Sequence, residues 1–139
     1  MNNSLLRTLF IVLLTVLSLE GQAASADLSK FIGLWQGVDT GDGSLNTLEI
    51  VRNGDGTVRL MVNDTYWERC GGGRGIGQGT GSPINRNTLQ FDDYTITCFG
   101  SSGPSASASI TVTLGRDGSL TRTAVPPHPS IVHYRISRK

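Results

Sequence analysis

From Leu48 to Ile136 the apolar residues recur at every second position, and the runs they form are separated by Gly, Asn and Asp. Leu48 and Ile50 share one parity, as do Val58, Leu60 and Val62. A period of two is that of an extended chain with one buried face. Ala106, Ala108, Ile110, Val112 and Leu114 alternate strictly with Ser107, Ser109, Thr111 and Thr113, making this the clearest strand in the chain. Leu89 and Phe91 fall out of parity with Tyr94, Ile96 and Cys98, so Asp92-Asp93 must hold a bulge or turn that slips the alternation by one. Val132, Tyr134 and Ile136 form a last strand. Between these runs lie Asp39 to Ser44, Asn53-Gly54-Asp55-Gly56 and Arg116-Asp117-Gly118, where Asn-Gly and Asp-Gly pairs supply positive φ at little steric cost. Asp27 can cap a single helical turn before Gly33. The expected fold is all-β, an antiparallel meander of eight or nine short strands with no long helix. Closing it as a small up-and-down β-barrel would remove the exposed edges.

The first segment does not fit this pattern. Leu9 to Leu19 is uncharged and strongly apolar, is preceded by Arg7, and ends at Glu20 before Ala24-Ser25-Ala26. That order reads as a secretory signal peptide over 1–26, cut after Ala26, leaving one domain over 27–139. The run is shorter than the ~20 residues of a membrane span, so no stable membrane anchor is expected after cleavage. The protein is therefore expected to be secreted or periplasmic. Export gives Cys70 and Cys98 their meaning: two cysteines without C-x-x-C spacing, in an oxidising compartment, read as a disulfide rather than as metal ligands or redox thiols. A bridge closing a loop of about 29 residues would contribute roughly 3–4 kcal/mol by restricting the unfolded chain.

Composition narrows the function classes. Twelve basic against 11 acidic residues in 139 give a net charge of +1, without the basic footprint of a nucleic-acid binder. Eighteen glycines are about 13% of the chain against a usual ~7%, with no collagen period.

Gly33-Leu34-Trp35 after a short N-terminal turn, with Arg135 on the last strand, resembles the calycin group of lipocalins, fatty-acid-binding proteins and avidins. The resemblance implies a Trp that closes one barrel end and a basic side chain packed over it, so Gly33, Trp35 and Arg135 are assigned structural roles. In the avidins an Asn stands two residues after this Trp; here that position is Gly37, and biotin binding is not carried over.

The segment Gly71 to Gly81 places glycine at every odd position. It lacks the following helix and the Lys-Ser/Thr ending of a phosphate loop. As a strand it would have one face bare of side chains, which lets a barrel coil sharply or lets a ligand or backbone come close. Asp39 to Gly43 and Asn53 to Gly56 contain calcium-loop residues without calcium-loop spacing, and read as turns. His128 and His133 have no metalloprotease, nucleophile-elbow or Cys/His motif around them. No catalytic residue, metal or cofactor is assigned. Three functions remain: a binding module for an apolar or amphipathic small molecule, lined by Tyr66, Trp67, Tyr94 and the bare wall at Gly75, Gly77 and Gly79; an inhibitor or interaction protein presenting Asp39 to Ser44 or Pro126 to Ser130 to a partner protein; and an enzyme in the barrel mouth using Glu68 with His133. The first is favoured, and the protein is expected not to be an enzyme.

Overall fold

The computed structural model describes residues 27–125 and 129–137. Segment 1–26, read from the sequence as a signal peptide, lies outside the described residues, as do Pro126, Pro127 and His128 of the proline loop. A 3₁₀ turn over Leu28–Lys30 opens the described chain, and the Asp27 carboxylate accepts the Ser29 N–H at its start. Eight strands follow: β1 (Gly33–Val38), β2 (Leu45–Arg52), β3 (Val58–Trp67), β4 (Gly73–Asn85), β5 (Thr88–Cys98), β6 (Ala106–Leu114), β7 (Leu120–Val125) and β8 (Ile131–Ser137). Each pairs antiparallel with the next, and β8 pairs with β1 to close the barrel. The hairpin turns use the chemistry that their residues offer: Gly56 sits at φ +86° while Asp55 accepts the Thr57 N–H.

The interior is built from alternate residues. Leu48 and Ile50 of β2, Val58, Leu60 and Val62 of β3, and Ile110 and Val112 of β6 are all buried. The expected slip on β5 is present: the register with β6 shifts between Phe91 and Tyr94, and both rings point inward although three residues apart. The same device recurs on β3, where a shift against β4 brings both Asp64 and Trp67 inside. β3 ends at Trp67, and Glu68–Cys70 form a 3₁₀ turn. On β8 the apolar alternation faces out. Val132, Tyr134 and Ile136 are exposed, while Ile131 and His133 are buried.

One end of the barrel is packed solid. Phe31 from the N-terminal turn, Trp35, Leu89 and Phe91 are all fully buried. The Arg135 guanidinium lies 4.0 Å over the Trp35 ring and donates to the Ile32 and Lys30 carbonyls, while the Trp35 indole N–H donates to the Phe31 carbonyl at 2.9 Å. A planar cation suits this position because it stacks on the ring and still caps the orphan carbonyls of the turn beneath it. At the opposite end Cys70, after β3, is bonded to Cys98, at the end of β5, with their Cα atoms 5.4 Å apart. The bridge ties the β3–β4 turn to the neighbouring strand.

The glycine stripe on β4 faces inward: Gly75, Gly77, Gly79 and Gly81 are buried. Its bare face is occupied by the barrel's own side chains. A Cβ added at Gly77 would stand 1.7 Å from the Tyr94 hydroxyl, and one at Gly81 would stand 2.4 Å from the Phe91 ring. Gly77→Ala should therefore destabilise the fold by about 1–3 kcal/mol through overpacking. Gly54→Ala, in a turn with nothing within 4 Å of the new methyl, should change stability by less than ~0.5 kcal/mol. Urea denaturation of the two variants checks the contrast, and equal stability would show that β4 is not packed this way.

Candidate functional site

Above the solid end the barrel is hollow. A cavity of about 480 Å³ opens between the β1–β2 and β3–β4 connections and the upper halves of β5, β6 and β7. Ala106 and Ala108 alternate on β6 where larger residues would fill the space, and Ile96 and Ile110 add apolar wall. Trp67 and Tyr94 supply the aromatic surface, with Tyr66 at the mouth. The Trp67 indole N–H donates to the Gly75 carbonyl at 3.2 Å, which fixes the ring. Three of the aromatic residues picked out by sequence thus come together.

The three glycines sit behind this wall. Gly75 packs against Cys70 Sγ and the Thr97 carbonyl, Gly77 against the Tyr94 ring, and Gly79 against the Tyr94 backbone and the Asp93 carboxylate. Their role here is to make room for Tyr94.

Four polar residues, of which the sequence reading considered only His133, are the most distinctive part of the site. Asn46, Asp64, Arg122 and His133 are all buried, on strand parities otherwise occupied by apolar residues. Asn46 and Asp64 are direct cross-strand partners, and the Asn46 amide donates to Asp64 Oδ2 at 2.7 Å. The other Asp64 oxygen accepts the Tyr66 N–H at 3.1 Å. His133 reaches Asn46 from β8 across β1, its Nε2 lying 2.8 Å from Asn46 Oδ1. It can do so because the intervening residue is Gly37, paired with Asn46 on one side and His133 on the other. Any Cβ there would lie 3.2 Å from the imidazole and 2.2 Å from the Val132 carbonyl.

This chain of contacts fixes a tautomer. Since the Asn46 N–H goes to Asp64, its carbonyl oxygen faces the imidazole and must accept, so Nε2 carries the proton. In the neutral ring Nδ1 then carries no proton, and it lies 3.1 Å from the Ile131 carbonyl without donating to it. Glu68 is exposed at the rim, so the expected Glu68–His133 pairing is not formed. Burial, reinforced by the charge of Arg122, lowers the His133 pKa from 6.5 to about 4.

Arg122 projects inward from β7 and is 7% exposed. Tyr94 is 1% exposed, and its hydroxyl has no hydrogen-bond partner. Burial raises its pKa well above that of a free phenol, against the opposing pull of the Arg122 charge, so it stays protonated.

Comparison with known protein families, with curated proteins and with solved structures finds no match. The closed eight-stranded antiparallel barrel is compatible with a calycin-like small barrel. The disulfide suggests an oxidising, non-cytoplasmic compartment.

Because His133 is held neutral in the fold, the unfolded chain takes up its proton first as pH falls. Stability should be full above pH 6.5, decline between 6.5 and about 4, and level off below, with a loss on the order of 3 kcal/mol from this residue. In His133→Gln that part of the slope should vanish. Denaturant titrations across this window read it out, and an unchanged slope in the variant would contradict the assignment.

Proposed function

We propose that the protein is a calycin-like binding module whose open barrel end takes up an apolar or amphipathic small molecule outside the cytosol. The observation that carries this reading is the cavity of about 480 Å³ set over a solid floor. That volume lies within the range of ligand pockets, and its wall combines aromatic and small apolar surface with a few buried polar groups, as such pockets do. The rim is ordered by hydrogen bonds of its own. In the β1–β2 connection Asp39 Oδ1 accepts the Gly41 N–H, Asp42 Oδ1 accepts the Ser44 N–H, and the Gly43 N–H donates to the Asp39 carbonyl. The disulfide braces the adjacent rim. A pre-formed site of this kind loses little conformational entropy on binding.

The signal-peptide reading of 1–26 agrees with an exported carrier or scavenger, and the disulfide is consistent with that compartment. His133 is committed to Asn46 within the wall and is not paired with Glu68.

Native mass spectrometry of the mature protein, purified under mild conditions from a host that exports it, tests the reading. A small-molecule adduct lost on denaturation is expected. Ala108→Phe, which fills the hollow, should abolish the adduct while leaving the melting temperature within a few degrees. A bare mass in every preparation would contradict the module, and a co-purified protein in its place would favour the loop-presenting interaction protein.

A further inference from the structure

The outer wall of the barrel carries an apolar face that takes no part in the cavity. On β8 the outward residues Val132, Tyr134 and Ile136 are 40%, 63% and 52% exposed, while the polar His133 is buried beneath them. This strand therefore turns its apolar side to water. β6 shows the ordinary arrangement, with Ser107, Ser109, Thr111 and Thr113 outward and Ile110 and Val112 inside.

The face extends across two more strands. β8 pairs with β1 through Tyr134 and Gln36, and the same register carried two residues further sets Val132 beside Val38. Val38 pairs in turn with Leu45 at the start of β2. Val132, Val38 and Leu45 thus form a row across three strands, and Val132, Tyr134 and Ile136 a column down β8. Val38 and Leu45 are 53% and 42% exposed. Apolar residues exposed singly, such as Ile84 near the end of β4, are ordinary; five gathered on one face are not.

Charge decides what such a face can meet. The outward residues of β1 are Leu34, Gln36 and Val38, so neither β1 nor β8 presents an ionised side chain there. Thr121 borders the patch on β7 and Thr47 on β2, and Glu49 enters only opposite Leu34. An anionic lipid surface or a charged peptide would find no counter-charge on it. A second copy of the chain would meet no like charge, because a two-fold contact sets the same patch against itself. The cores of protein interfaces are depleted of charge and enriched in Tyr in the same way.

Area agrees with this partner. At these exposures the five side chains present on the order of 400 Å² of apolar surface, a size at which the largest patch of a monomer is often functional. With their polar border each copy would contribute about 600–800 Å², the lower end of what a stable two-chain interface buries per partner. None of the five lines the cavity, so the contact is independent of what the cavity holds.

We propose that the protein forms a two-fold symmetric dimer through the outer face of β8 and β1, with Tyr134, the largest side chain of the patch, as its anchor. The apolar alternation of β8 then has the same cause as that of the other strands, which is burial, but on the opposite face.

Sedimentation equilibrium of the mature, oxidised protein from about 1 to 200 µM tests this. A mass of two chains is expected, with a dissociation constant in the micromolar range or tighter. Tyr134→Lys, which sets like charges face to face, should weaken association at least about ten-fold, and Val132→Lys should do the same if the first variant does not fold. Ile84→Lys, exposed but outside the patch, should leave the dimer intact. In the wild-type protein the Tyr134 and Ile136 amide shifts should change on dilution while that of Ile84 does not, which decides the matter without any variant. A single chain at the highest concentration would overturn the dimer, including one that sediments with lipid vesicles or co-purifies with a different protein instead. A dimer that keeps its affinity in both patch variants, or dilution shifts centred elsewhere, would overturn this face as its interface.

Discussion

An eight-stranded barrel has an interior only wide enough to be filled by side chains, so a hollow inside it must be made by leaving side chains out. Here they are left out on β6, at Ala106 and Ala108, while the glycines of β4 make room for rings from β5. Gly75, Gly77, Gly79 and Gly81 face inward, and the Tyr94 and Phe91 rings lie against them from β5. That arrangement depends in turn on the slip at Asp92-Asp93. Without it, residues 91 and 94 would face opposite sides of the sheet, and one of the two rings would stand in solvent. With it, Phe91 joins the floor while Tyr94 lies over β4, its hydroxyl against Gly77, and lines the cavity.

Below and above this level the interior follows different rules. The floor is closed by close packing and by Arg135 stacked on Trp35 with its donors on the carbonyls of the N-terminal turn. Higher up, β8, β2 and β3 are joined by His133, Asn46 and Asp64, which reach one another past Gly37. Each group in that chain satisfies the next, so its burial is tolerable and its geometry is fixed. Arg122 and Tyr94 stand apart from it. Both residues line the hollow.

Much of the fold is legible in the sequence because strand alternation and turn chemistry are local. The strict alternation of Ala106 to Leu114, the break at Asp92-Asp93 and the Asp-Gly turn at Gly56 all reappear in the structure. Cys70 and Cys98 are bonded, as the pair of cysteines without C-x-x-C spacing led one to expect. The inward face of the β4 stripe was not legible, since Ile76 and Thr80 suit either side and only the neighbouring rings decide. On β8 the apolar alternation pointed the wrong way, because His133 and Arg135, which share the inward parity of Ile131, are held by specific hydrogen-bond partners and not by hydrophobicity. The polar residues of the site carried one usable signal. Asn46 shares the parity of Leu48 and Ile50, Asp64 that of Val62, and Arg122 that of Leu120, so each is a polar residue on a buried face. What they bond to depends on register between distant strands, which the sequence does not express.

The central claim, a ligand cavity above a packed floor, is most directly tested by amide chemical-shift mapping of the isotope-labelled mature protein during titration with anilinonaphthalene sulfonate. The account predicts saturable shifts concentrated at Tyr94, Ile96, Ala108, Ile110 and Arg122, with Phe31, Trp35 and Leu89 unmoved. Shifts centred on the floor or spread over the outer face of β8, or none at saturating probe, would contradict it.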